Sequence, residues 1–305
     1  MSIKDIVGDA ARGLLKGERT DGTLIQGVHP YRRLMAHIMP TRNESVVYFD
    51  TYAKADELVR YLKLANERFP ADITHALVAA GSIGLYENPK MNRFIAGRRL
   101  YQRNGAFVTF SMKRQKLGRE AKLSAVKLQV RDGETFRDLC ERINENVTVE
   151  RSGKKTSADK EFDIFNKLPR LALDAAVTTF RALDYLNALP RFFIDSDAMY
   201  TSMFIANLGS LSMAPGFHHL YEWGTCPLFM MAGKLEERAV VEDGKVVVRT
   251  VLPIRWSYDE RIDDGLNARF GIESCNRALE NPFEYFGCLK DDGSDAVVLS
   301  RPPLR

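Results

Sequence analysis

The chain is poor in the residues that usually mark a reactive centre. Its 305 residues include only four cysteines, five histidines and two tryptophans. Cys140, Cys226, Cys275 and Cys288 stand far apart, in none of the paired spacings of a zinc or redox centre, so they read as reduced thiols of a cytoplasmic protein and no metal is expected. Glycine loops of the P-loop or dinucleotide type are missing. No apolar run reaches the ~18 residues of a membrane span, and Met1 to Lys16 carries Lys4, Asp5, Asp9 and Arg12 where a secretion signal would be unbroken and apolar. Membrane insertion is therefore not expected. Neither sign of charge dominates: 44 basic against 40 acidic residues leave a net +4, too balanced to argue for nucleic acid. The basic excess is local, at Arg98, Arg99 and Arg103 and then at Lys113, Arg114, Lys116, Arg119 and Lys122. Such a cluster is either a solvated face or a site for phosphate groups such as those of CoA.

What is present is an alternation of helical and strand patterns long enough for a large α/β core. Residues 1–30 read as an arm with a short helix, Ile3 to Lys16. Helical spacing follows at Tyr31 to Met39, Ala53 to Arg68, Asp72 to Tyr86, Thr135 to Val147 and Asp163 to Leu189. Strand patterns occupy Ser45 to Thr51, Arg98 to Tyr101, Ala106 to Met112, Leu123 to Val130, Met203 to Leu208 and Pro227 to Lys234. The Asp243-Gly244 pair marks a hairpin between Ala239–Val241 and Val246–Val251, and Leu252 to Tyr258 reads as a further strand. Glu150 to Lys160 reads as a mobile surface loop. No linker or repeat divides the chain, so residues 31–290 read as one domain and 291–305 as a loosely held tail.

Chemistry concentrates where the last strand meets the last helix, at Tyr258-Asp259-Glu260-Arg261-Ile262-Asp263-Asp264-Gly265. Carboxylates at such a corner are favoured by the helix dipole and by capping of free N–H groups. The segment also resembles the Asp-His-Arg-x-x-Asp-Gly signature of CoA-dependent acyltransferases, with Glu260 in the histidine's place. Met203-Phe204-Ile205-Ala206-Asn207-Leu208-Gly209 is similar to the strand and turn that face this histidine in the family, and Tyr31 to Asp50 and Lys90 to Met112 resemble further segments in the same order. Over residues 30–287 the chain thus resembles the catalytic domain of 2-oxoacid dehydrogenase acyltransferases and chloramphenicol acetyltransferase.

The resemblance implies a two-layer α/β sandwich, a mixed sheet with helices packed on it, that forms a homotrimer with its site between subunits and sometimes a larger cage. It implies CoA or acyl-CoA as substrate and a small-molecule acyl acceptor. Asp264 and Gly265 match the end of the signature, with Arg33 as the candidate partner of Asp264. Asn207 and Gly209 match the facing turn. The two reacting positions differ, because Glu260 replaces the histidine and Ala206 replaces a serine or threonine that donates to the oxyanion. No lipoylation segment is present, so no covalent lipoyl group is expected, and a free-standing enzyme with a diffusible acceptor, or a partner of another complex, is expected. Either Glu260 or the adjacent pair His218 and His219 would be the base. Ser202, Ser210 and Ser212 are candidates for the lost hydroxyl, and Cys226 beside the histidines is a remote candidate nucleophile. His29, His37 and His75 read as structural. The alternative is an inactive trimeric scaffold that keeps the fold.

Overall fold

The computed structural model describes residues 3–113, 123–151 and 168–303. The basic run 114–122 and most of the expected loop 150–160 lie outside the described residues, as does the start of the long helical stretch from Asp163. The elements, in order, are α1 (Ile3–Lys16), β1 (Gly22–Leu24), α2 (Pro30–Ile38), β2 (Val46–Lys54), α3 (Asp56–Ala65) and α4 (Ile73–Glu87). Then come β3 (Arg93–Ala96), β4 (Arg99–Arg103), β5 (Phe107–Lys113), β6 (Leu123–Gln129), α5 (Phe136–Arg151), α6 (Arg170–Tyr185) and α7 (Arg191–Ser196). The last third holds β7 (Met203–Asn207), β8 (Leu228–Ala232), β9 (Glu236–Glu242), β10 (Lys245–Asp259), α8 (Gly265–Glu280) and α9 (Pro282–Tyr285).

The main sheet has the order β2-β10-β8-β7-β5-β6, with β9 also paired to β10. Its centre, β5, β7 and β8, is parallel and its flanks are antiparallel, which makes it mixed. Alternate residues of the sheet face two environments. Ile205, Met230, Ile254 and Trp256 pack under the helices in the principal core, whereas Phe204, Ala206, Phe229 and Met231 lie on the opposite face beneath Leu220 and Cys226. The helix α4 is buried on almost every side, as expected of an apolar helix held between a sheet and a second helix. Gly84 makes this possible, because a Cβ there would stand 2.4 Å from Cys275 Sγ of α8. The N-terminus of α4 is closed by a capping box in which the Asp72 side chain accepts from Thr74 N (2.7 Å) and His75 N (3.2 Å) while His75 Nδ1 accepts from Asp72 N (3.0 Å). His75 is structural, as its sequence context indicated.

A second, three-stranded sheet runs β1-β4-β3 and ties the N-terminal arm to the domain. Arg19 of the arm is buried against Asp21 (2.8 Å) and Asp184 (3.0 Å), and Arg103 of β4 reaches Asp21 (3.4 Å) and Thr225 Oγ1 (2.8 Å). Burial works against the charged Asp21, but the Arg19 and Arg103 guanidinium groups outweigh it and hold the carboxyl below its ordinary value. Burial pushes Arg103 down to about 10 against the pull of Asp21.

The strand expected at 98–101 is β4, which begins one residue later because Gly97 and Arg98 (φ 53° and 60°) form the turn from β3. Two expectations need correction. The strands expected at 246–251 and 252–258 are one continuous β10, 15 residues long, whose first half pairs with β9 and whose second half is sandwiched by β2 and β8. The tail is not loosely held: Leu299 is fully buried, its N–H donates to Glu134 O (2.9 Å), and Val298 and Ala296 form bridges to Thr135 and Gly287.

Candidate active site

The Asp259–Gly265 corner is fixed from below by paired charges. Arg261 makes a bidentate contact to Asp259, with Nε–Oδ1 2.8 Å and Nη2–Oδ2 2.7 Å, both side chains being buried. Ser45 Oγ donates to Asp259 Oδ1 at 2.9 Å, so the start of β2 locks the end of β10. Asp264 is the N-cap of α8, its carboxylate accepting from Asn267 N at 3.0 Å. That bond holds its carboxyl below the ordinary range. Gly265 is the exposed first residue of that helix.

The arginine that reaches this corner is Arg32, not Arg33. Arg32 Nη1 donates to the carbonyls of Glu260 (3.2 Å) and Arg261 (3.3 Å), and its Nη2 lies 3.8 Å from Asp263. Arg33 is exposed and the structure shows no contact between it and Asp264. The register of α2 explains the choice: Arg32 stands one turn before the buried Ala36, so it shares that inward face. Spacing to Ala36 was the signal available in the sequence. Asp263 and Tyr258 were missed as well. Both are buried, and Asp263 Oδ2 and the Tyr258 hydroxyl have no hydrogen-bond partner among the described residues. Burial, and then the charges of Asp263 and Asp259, push the Tyr258 phenol well above its ordinary value.

Glu260 is half-buried and held through its backbone, by its N–H on Ser45 O (3.0 Å) and by Arg32 on its carbonyl. Its carboxylate makes no hydrogen bond or ion pair among the described residues. It is therefore oriented at the main chain and free at the functional group.

The histidine loop crosses the outer face of the sheet towards the same corner. Ser257 Oγ donates to the carbonyl of His218, and Ser257 precedes Glu260 by about 10 Å of strand. The His218 ring stacks on Phe229 (4.2 Å) and on His219 (4.7 Å). His218 Nδ1 lies 2.7 Å from His219 O and His219 Nδ1 lies 3.0 Å from Leu220 O. A carbonyl only accepts, so each Nδ1 carries a proton and Nε2 is the basic atom. Burial, partly offset by the bond to His219 O, lowers the His218 pKa.

Asn207 and Gly209 lie elsewhere. Asn207 pairs with Ala232 and Ala232 with Ile254, so the turn is level with a residue six positions before Glu260. That separation is about 20 Å along the strands and about 10 Å across them. Asn207 Nδ2 donates to Thr74 Oγ1 (3.1 Å), its Oδ1 accepts from Ser210 N (3.3 Å), and Gly209 packs against the Gly233 carbonyl too closely to admit a Cβ. A single chain brings Glu260, Asp264, His218 and His219 to one end of the sheet and leaves Asn207 and Gly209 at the other. Ser202 is buried and accepts from Phe107 N (3.0 Å), and Ser210 Oγ donates to Asn207 O (2.8 Å), which gives both local roles. Burial pushes the Cys226 thiol up to about 11, an inert sulfur rather than a nucleophile. His29 caps α2. Among the described residues no group of His, Cys, Asp or Glu is arranged to hold a metal ion, and no helix is long and apolar enough to cross a membrane.

A mixed sheet covered by helices on one face, with the Asp259–Gly265 corner at its end, defines a two-layer acyltransferase-type fold. Comparison bears this out. Residues 196–286 match the model of the 2-oxoacid dehydrogenases acyltransferase (catalytic domain) family. Over 47 residues the chain is 45% identical to the dihydrolipoyllysine-residue succinyltransferase component of the 2-oxoglutarate dehydrogenase complex of Cupriavidus necator, a stretch covering 15% of this chain and 11% of that relative. The fold is shared with a probable dihydrolipoamide acetyltransferase from Listeria monocytogenes (TM-score 0.57, 16% identity, 85% of this chain and 95% of that one). It is also shared with the cubic core of the pyruvate dehydrogenase multienzyme complex (TM-score 0.55, 17%, 88% and 93%) and with chloramphenicol acetyltransferase (TM-score 0.51, 12%, 85% and 99%). The resemblance to the CoA-dependent acyltransferase superfamily therefore holds, through the family model over the C-terminal third and through the fold over most of the chain.

Proposed function

We propose that this protein transfers an acyl group between CoA and a small thiol or hydroxyl acceptor, with Glu260 as general base, in a site completed by a second copy of the chain. The observation that carries the reading is Glu260 itself: its backbone is pinned by Ser45 and Arg32 while its carboxylate has no partner among the described residues. The carboxylate takes the proton of the attacking thiol or hydroxyl as the acceptor adds to the thioester carbonyl. The tetrahedral oxyanion collapses, the carbon–sulfur bond breaks, and the departing CoA thiolate recovers the proton from Glu260.

Assembly as a homotrimer, with a larger cage built from it, is part of the proposal. Glu260 and the Asn207 turn lie at opposite ends of one sheet, so only neighbouring copies can set them face to face. Across that interface Ala206 offers no hydroxyl, and the Asn207 amide, which gives one hydrogen to Thr74, and the exposed Ser212 hydroxyl are side-chain donors that the turn still carries. Four buried, unpaired cysteines support a cytoplasmic location.

The second reading, an inactive scaffold, is favoured by Ala206: a missing oxyanion donor raises the barrier by about 3 kcal/mol. One experiment separates the two. Acetyl-CoA and CoA are titrated calorimetrically into the purified protein, whose mass is measured by light scattering, and thiol release is followed with dithiol and hydroxyl acceptors. Binding that persists in Glu260→Gln while thiol release is lost supports the enzyme. A trimer that binds neither compound leaves the scaffold.

A further inference from the structure

Beside α2 lies a cleft of about 430 Å³ with a one-sided charge. Arg32, Arg33, Arg98, Arg99 and His37 line it, the remaining walls are apolar apart from Gln26 and Tyr185, and no carboxylate faces it. The arginines differ in what already holds them. Arg32 is taken up by the carbonyls of Glu260 and Arg261, and Arg99 is packed against Gly17 of the arm. Arg33 and Arg98 have no anionic partner among the described residues, and the contact of Arg98 is another basic group, His37 Nδ1 at 3.5 Å.

The backbone under Arg98 is a second, independent observation. Gly97 and Arg98 are the two central residues of the β3–β4 turn, both with positive φ (53° and 60°), a conformation for which glycine or asparagine is the ordinary choice. An arginine there is strained, and such outliers cluster at active sites and ligand clamps. The strain places a guanidinium at the rim of a cleft where cations already crowd. By contrast Arg103, five residues on, is buried on Asp21 and Thr225 and is not part of this cleft. Unpaired guanidinium groups around a concave wall match the forked geometry of phosphate oxygens.

We propose that this cleft binds the phosphate or diphosphate group of a small molecule, with Arg33 and Arg98 as its principal contacts. The proposal stands on charge and geometry and does not depend on acyl transfer. Two sources share this chemistry: the diphosphate of CoA and a separate phosphorylated ligand.

The test is calorimetry of inorganic pyrophosphate with the wild-type chain, Arg33→Gln, Arg98→Gly and, as a control, Arg269→Gln on α8. The wild type and the control are expected to bind, more weakly as salt is raised, and each cleft variant to bind at least about tenfold more weakly, the loss of one charge-assisted hydrogen bond. Arg98→Gly also relieves the strained turn, so its melting temperature should hold or rise while binding falls. A residue that only supports the turn would not separate the two readouts. Repeating the titration with CoA and with pantetheine, which lacks phosphate, assigns the source: displacement of pyrophosphate by CoA alone points to its diphosphate, and binding of CoA without displacement to a separate ligand. Absence of pyrophosphate binding to the wild type, or equal binding by both cleft variants, overturns the proposal.

Discussion

The Asp259–Gly265 corner and the histidine loop reach the same end of β10 and hold their candidate bases in opposite ways. At the corner the backbone is tied and the functional group is free: Ser45 and Arg32 hold the main chain of Glu260, and its carboxylate projects without a partner among the described residues. In the loop the ring is tied. His218 is stacked on Phe229 and His219, with Nδ1 bonded to a carbonyl, so one nitrogen is engaged and the ring is held. A base has to move a proton without losing its place: Glu260 offers a free carboxylate on a fixed main chain, and His218 a free Nε2 on a fixed ring.

The strongest way to break this comparison is to remove the two bases separately. Glu260→Gln should lower acyl transfer about a hundredfold or more, with little change in CoA affinity, while the double variant His218→Ala with His219→Ala stays within about threefold of wild type. Steady-state kinetics with acetyl-CoA decide, and the reverse ranking would move the base to the loop. Next in size, Arg32→Leu should cost about 2 kcal/mol of stability in urea unfolding, because it strips two carbonyls of their donor and leaves the buried Asp263 without its cation. Arg33→Leu, one residue on, should change stability by less than about 0.5 kcal/mol.

A smaller effect is expected at Asp264. Loss of the N-cap in Asp264→Ala should cost about 1 kcal/mol. Because the folded carboxyl is held below its ordinary value, this contribution is complete above about pH 4 and disappears as pH falls through the folded pKa. The difference between wild type and variant in acid unfolding should close there. The smallest effect concerns His218, whose burial lowers its pKa. Nuclear magnetic resonance should show its ring titrating below the ordinary 6.5 or so, with the associated stability present above that pH and lost as pH falls. A midpoint at or above the free value would show a solvated ring and weaken the contrast drawn with Glu260.

Much of the architecture was legible because it is local. The apolar run from Asp72 to Tyr86 announced a helix, and the Asp-Gly pair at 243–244 announced the hairpin that the structure contains. The motif corner was legible as a strand running into a capped helix. Other features depended on partners distant in sequence. Asp259 had no visible mate until Arg261 and Ser45 closed on it. The 296–299 segment carries no periodic pattern, so nothing local indicated that Leu299 would fill a core position against α5. The choice of Arg32 over Arg33 turned on which side of α2 faces inward, and that is set by what packs beneath Ala36.

The sequence by itself determined the order of helices and strands, the strand-to-helix corner that carries Glu260, the capping role of Asp264 and the lack of a hydroxyl at Ala206. Those are properties of residue type and short spacing, where propensity and periodicity act within a few turns of chain. Only the tertiary structure decided that Glu260 and Asn207 stand at opposite ends of the sheet, because strand register is set by pairing between segments far apart in the chain. It alone sorted the arginines of β4 and its turn. Arg103 is buried on a carboxylate while Arg98 faces an open cleft, since a charge takes its role from the counterion that folding brings beside it.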